Sequence, residues 1–225
     1  MIISDAYRFI FIKTRKTASS SIQATLAERC GPYDIIAGGR DEISRNCWDN
    51  WREYAVLRAK TLLQGRLFWP ISRFHSRHAT IKTVTEVLGE HTETYFKFAI
   101  VRNPFDLVVS RYFWDKSLNR HGYSDFQRWL EEEYTRRGHW EKDLLHRYTH
   151  ISGVCRLDYV GRFERLSEDF RHVCNTLGFG EMELPRKKSG LRVPGAYQDH
   201  YSPAARSLVE QLFAEDIRIF GYAFT

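Results

Sequence analysis

The chain has 225 residues, 43% hydrophobic and 15% aromatic, which excludes a disordered polymer and suits one domain with a substantial core. A formal net charge of +6 implies an anionic partner, without choosing among nucleotide, nucleic acid, acidic glycan and membrane surface. Cys30, Cys47, Cys155 and Cys174 are widely spaced and away from the histidines, against a metal site or disulfide framework. The start carries no signal-peptide core and no apolar run is long enough to span a bilayer, so a soluble, cytoplasmic protein is expected.

The first element is the apolar run Phe9-Ile10-Phe11-Ile12, bounded by Arg8 and Lys13, which reads as a buried strand of a parallel sheet. Arg15 and Lys16 follow, then five small or hydroxylated residues, Thr17 to Ser21. Ile22, Ala24, Leu26 and Ala27 recur at helical spacing until Cys30-Gly31-Pro32 stops the pattern. A helix is expected over roughly 50–63, where Trp51, Tyr54, Ala55, Leu57 and Leu62 approximate one face. A basic stretch, Arg73 to Thr80, leads into a short amphipathic helix of Ile81, Val84, Val87 and Leu88, closed by Gly89.

Tyr95 to Val101 is the second strong strand. Asn103 then suits a helix cap and Pro104 the first helical position, with Leu107, Val108, Tyr112 and Phe113 on the apolar side. Aromatic helices are expected over Asp125–Arg136 and Trp140–Tyr148, a third strand over Leu157–Phe163, and a helix from Leu166 to Leu177 ending at Gly178. Pro185 to Gly195 is a basic loop, and Pro203 to Phe220 a closing helix. Strands alternating with helices predict an α/β fold, its central sheet mainly parallel and flanked by helices on both faces. Tyr112, Phe113, Trp114, Phe126, Trp129 and Trp140 read as core, with Trp114 and Trp140 the candidates for stacking on a sugar.

A strand, a basic small-residue loop and a helix N-terminus together form a cradle for an oxyacid anion. Backbone N–H groups point into the loop, the helix dipole favours negative charge, and a lysine adds a mobile cation. The loop is not a Walker A sequence, because GxxxxGK followed by Ser or Thr is absent. Arg102, ending the second strand, and Ser110, about two turns into the next helix, suit a second phosphate. Taken singly, Lys16 reads better as a solvated charge and Arg102 as a surface salt-bridge partner.

Taken together they resemble a known family. Phe11 to Ile22 is similar to the 5′-phosphosulfate loop of PAPS-dependent sulfotransferases, commonly P-K-T-A/G-G-T-S. Phe98 to Asp106, with Ser110-Arg111-Tyr112, is similar to their 3′-phosphate motif, R-N-P-x-D-x-x-x-S. Tyr159 to Leu166, Pro185 to Gly190 and Asp216 to Tyr222 extend the likeness, which fits the carbohydrate or Golgi-type branch and its soluble bacterial members best. Two departures stand out: Arg15 occupies the usual proline position and Ser19 the usual glycine position.

The resemblance implies a P-loop-like three-layer fold, a single sulfotransferase domain over 1–225, PAPS as co-substrate and no metal. Lys16 would meet the leaving phosphate, and Arg15, Thr17, Ala18, Ser19, Ser20 and Ser21 would complete the donor loop. Arg102 and Ser110 would hold the 3′-phosphate, and Lys188, Ser189 and Gly190 would close over the nucleotide. The general base is assigned to His78, which lies where family members carry a histidine ahead of the second strand; His75 and Glu164 are runners-up. The acceptor would be a glycan or small hydroxylated molecule, and Arg73, Arg77 and Arg120 would suit an anionic one. The rival readings are a small-molecule or nucleotide kinase using ATP, and a non-catalytic binder of acidic polymers. No nucleic-acid motif appears.

Overall fold

The structure, a computed structural model, describes residues 1–31, 34–37, 78–185 and 196–225. The expected helix over 50–63, the side chains of Arg73, His75 and Arg77, and the Lys188-Ser189-Gly190 stretch lie outside these residues. Contacts divide the chain into two compact units, Met1–Ile100 with Arg147–Pro185, and Val101–His146 with Arg186–Thr225.

The first unit is built on a five-stranded sheet in the order β3-β1-β2-β4-β7. Its strands are β1 (Ile2–Ser4), β2 (Phe9–Ile12), β3 (Ile35–Ile36), β4 (Phe96–Val101) and β7 (Tyr159–Arg162). β2 pairs parallel with β4, Phe9 opposite Phe96 and Ile12 opposite Ala99. β1 is antiparallel to both β2 and β3, so β2, β3 and β4 all run the same way. A separate two-stranded ribbon joins β5 (His150–Ile151) and β6 (Val154–Cys155).

All four β2 side chains are fully buried, which requires cover on both faces, and the two-residue period of a strand separates two apolar layers. Phe9, Phe11, Phe98 and Ile100 pack with Ile22 and Leu26 of helix α1 (Ser19–Ala27). Phe170 and Val173, from a later helix at Leu166–Thr176, complete that layer. Ile10, Ile12 and Ala99 turn the other way, onto Ile81, Val84 and Val87 of α2 (Ile81–Leu88). This is the expected three-layer arrangement. The α2 boundaries follow the chemistry read from sequence: Thr80 accepts from the Thr83 amide, and Gly89 ends the helix at φ +58.

The second unit opens with α3 (Pro104–Ser117), where the Asn103 side chain accepts from the Phe105 amide. A short α4 (Phe126–Trp129) runs on into a π turn, Leu130–Thr135. Tyr112, Phe126 and Trp129 are core residues, as the sequence suggested. The expected Trp140–Tyr148 helix is a correction. That stretch holds a 3₁₀ turn, His139–Lys142, and one helical turn, α5 (His146–Thr149). The reason is Asp216: its buried carboxylate accepts the Leu145 amide at 2.7 Å and the His146 amide at 2.8 Å, occupying donors a continuous helix would use. With Leu166–Thr176 as α6, the closing helix is also two pieces, α7 (Pro203–Leu212) and α8 (Ala214–Phe220), divided at the fully buried Phe213. Among the described residues no helix is long and apolar enough to cross a membrane.

Candidate active site

The loop expected to hold an anion leaves the carboxyl end of β2 and enters α1 at Ser19. Thr14 is its hub. Fully buried, it donates its hydroxyl hydrogen to the Ile100 carbonyl of β4 and lies 2.8 Å from the Thr17 hydroxyl. The Ser19 hydroxyl donates to the Thr14 carbonyl at 2.6 Å. These bonds tie the loop to the sheet on one side and close it on itself on the other.

Two non-glycine residues in the loop adopt positive φ, Lys16 at +59° and Ala18 at +57°. Alternation of positive with ordinary φ turns successive peptide N–H groups toward one side, the concavity that binds oxyanions. The Ala18 carbonyl accepts from the Ser21 and Ile22 amides to start the helix, which leaves the amides ahead of them at its N-terminal end. Ser19 keeps an ordinary φ as the first helical residue, so the glycine usual at this position is not needed. The unusual conformation falls one residue earlier, on Ala18. Thr17, Ser19 and Ser21 are buried, whereas Arg15, Lys16, Ala18 and Ser20 are half-buried.

His78 is the predicted residue that the structure brings to this loop from farthest away in sequence. Its Nδ1 lies 2.7 Å from the Lys13 carbonyl. A carbonyl only accepts, so Nδ1 carries the hydrogen and Nε2 is the basic nitrogen of the neutral ring. Burial, with help from the Arg15, Lys13 and N-terminal charges, lowers its pKa from 6.5 to about 3, against the Lys13 hydrogen bond. The ring is therefore neutral at physiological pH and able to accept a proton.

Three side chains around it were not foreseen. Lys13, 5% exposed, donates to Gln23 Oε1 at 2.7 Å, and the Gln23 amide donates to the Ala37 carbonyl. Tyr148 accepts from Arg15 Nε at 3.3 Å and meets the His78 ring edge-on, centroids 6.4 Å apart. For Tyr148 the sequence offers no local signal, because its role depends on a tertiary approach across 133 positions.

In the second unit, Arg102 is 8% exposed. Its Nε and Nη2 both reach Asp106 Oδ2, at 2.8 and 2.7 Å, running from the residue before the α3 cap to the first turn of that helix. Asp106 thus aims the guanidinium, a role the R-N-P-x-D spacing could have suggested. Ser110 is half-buried on α3. Arg120 has its charge directed to Asp115 at 3.2 Å, and Glu164 is exposed on a 3₁₀ turn, Phe163–Arg165.

A model described as the sulfotransferase family matches residues 1–223 of the chain. No curated protein and no solved structure matches it.

Proposed function

The chain belongs to the sulfotransferase family, and we propose that it moves a sulfonate group from PAPS to a hydroxyl of a carbohydrate or glycoconjugate acceptor, releasing PAP. The family match also supports treating residues 1–225 as one sulfotransferase domain. The observation that carries the donor assignment is the loop from Thr14 to Ser21. Its alternating φ signs, its buried hydroxyls and the half-buried Lys16 fit a sulfonated phosphate ester.

PAPS, when bound, supplies a sulfonate already joined to a good leaving group, so that in-line transfer needs positioning and charge stabilisation more than covalent chemistry by the protein. The amides and hydroxyls of Thr17 to Ser21 hold the phosphosulfate end. Lys16 neutralises charge gathering on the departing phosphate, with Arg15 contributing its backbone to the same loop. Arg102, aimed by Asp106, and Ser110 take the 3′-phosphate, and Lys188, Ser189 and Gly190 close over the nucleotide. His78 takes the acceptor's proton at Nε2 as the acceptor oxygen bonds to sulfur. Burial is the main reason that His78 is a weak base; an anion beside Arg15 and Lys13 offsets the smaller part that their charges contribute.

The test is a thermal-shift comparison of PAP with ATP–Mg²⁺, followed by transfer from PAPS to a panel of glycans and small hydroxylated acceptors. At a PAP concentration about 100-fold over Kd, melting should rise by about 5–10 °C while ATP–Mg²⁺ does less. A purified, folded protein that ignores PAP refutes the reading, and a shift with ATP–Mg²⁺ alone favours the kinase.

A further inference from the structure

Arg102 and Asp106 are joined by only three residues, Asn103, Pro104 and Phe105. Both ends of that link are held by the segment that follows α8. The Asn103 side chain faces two ways: Oδ1 accepts the Phe105 amide, and Nδ2 donates to the Ala223 carbonyl at 2.9 Å and to the Tyr197 hydroxyl at 3.4 Å. An amide nitrogen has two hydrogens, enough for both bonds. The next residue, Phe224, sets its ring edge-on against the buried Phe105 ring, centroids 5.0 Å apart. Tyr197 and Tyr201 meet the Phe224 ring edge-on as well, at 5.6 and 5.3 Å, and the Arg206 guanidinium lies 4.7 Å from its centroid. Tyr201 closes the group by donating its hydroxyl hydrogen to the Phe105 carbonyl at 2.8 Å.

We propose that Phe224 is a positioning residue for the 3′-phosphate, holding Phe105 and the turn around it so that Arg102 meets that phosphate in a fixed direction. The bond from the Phe105 amide to Asn103 shapes the helix start, but it is local and leaves the whole first turn free to tilt. The Ala223 carbonyl and the Phe224 ring are the outside points that stop it, one on each side of Pro104. A cation already aimed gains its full bond without reorganising, so the contribution of Phe224 falls on the 3′-phosphate and spares the rest of the nucleotide. The inference rests on the sulfotransferase reading, in which Arg102 takes the 3′-phosphate. Phe224 touches no part of the nucleotide and acts through Phe105 and Arg102.

The experiment measures Kd by titration calorimetry for PAP and for AMP, which lacks the 3′-phosphate. The readout is the ratio of the two, in which a general loss of folded protein cancels. The wild type should bind PAP about 100-fold more tightly than AMP, the scale of two charge-assisted hydrogen bonds. Phe224→Ala should cut that ratio about tenfold while AMP affinity stays within about threefold, the scale of a small misplacement of a binding group. Phe224→Leu, which keeps an apolar side chain on Phe105, should fall between, and it decides by the same criterion if Phe224→Ala does not fold. In an Arg102→Gln background, where the aimed cation is gone, Phe224→Ala should change the ratio no further. A ratio unchanged in the Phe224 variants, equal losses for PAP and AMP, or an undiminished Phe224→Ala effect beside Arg102→Gln overturns the assignment, since packing alone would give each of these. A folded wild type that binds PAP no more tightly than AMP, or binds neither, overturns the earlier reading on which it depends.

Discussion

Replacing alanine by glycine inside a helix ordinarily destabilises a protein, yet Ala18→Gly, at the cap of α1, should do the reverse. Ala18 sits at φ +57°, ψ +15°, in the left-handed region, as the residue that caps α1. A residue with a Cβ loses about 1–2 kcal/mol in that conformation, whereas glycine adopts it without steric cost. Against this, glycine loses more backbone freedom on folding, about 0.5–1 kcal/mol. Glycine is also the better cap of the two, an effect of the same sign that partly overlaps the first. The net gain is about 0.5–1 kcal/mol, or roughly 1–4 °C in melting temperature for a chain of this size. Urea unfolding followed by circular dichroism measures it, with Ala24→Gly as control. Ala24 lies inside α1, and its replacement should cost about 1 kcal/mol or more. An Ala18→Gly protein destabilised to the same degree as the control would refute the strain argument, and with it the reason for reading this loop as a preshaped cradle.

Lys16→Ala should reduce transfer by about 100-fold or more while shifting the melting temperature little, because the residue is half-buried and the proposed mechanism uses its charge in the transition state; near-normal turnover would remove Lys16 from the mechanism. His78 makes a pH prediction. Its folded pKa of about 3 lies below the ordinary 6.5, so between those values the unfolded chain binds a proton that the folded one lacks. This contribution to stability is whole above pH 6.5 and is lost as pH falls, by up to about 1.4 kcal/mol per unit. Urea midpoints at pH 7, 6 and 5 should therefore drop more steeply for the wild type than for His78→Gln, and equal slopes would contradict the assignment. Asp216→Ala strips a buried acceptor from the Leu145 and His146 amides and from His146 Nδ1, 2.6 Å away, at a cost of about 3 kcal/mol or more. A loss below about 1 kcal/mol would show that solvent satisfies those donors.

What the sequence made legible follows from how local each cause is. β2 and β4 are apolar because both faces of the sheet are covered, and Thr80, Gly89, Asn103 and Pro104 act on the backbone within a few residues of themselves. β1 is only three residues long and draws its stability from pairing with β2 and β3, so no period emerges from Ile2 to Ser4. The break at Leu145 is caused by a carboxylate 71 residues away, beyond the reach of propensity. In the candidate site, Lys16 and the small residues after it announced themselves as a motif. The linked Arg15, Tyr148 and His78 did not, because only folding brings them together. The residue order also placed the conformational demand on the wrong neighbour: Ser19 stands in the glycine position, but Ala18 and Lys16 carry the positive φ.

Both compact units are assembled from two separate stretches of chain, and this sets the order of events during synthesis. β7, the neighbour of β4 in the sheet, begins at Tyr159, 58 residues after β4 ends at Val101. At the usual 5–20 residues per second, the strand Phe96–Val101, apolar but for Lys97, waits about 3–12 s with one edge open. The start of α3 waits longer still, because the Asn103 amide donates to the Ala223 carbonyl across 120 positions. An open strand edge is a template for wrong pairing, so the nascent chain passes through a window in which shielding by chaperones, or slow accumulation at low temperature, governs the yield of folded enzyme.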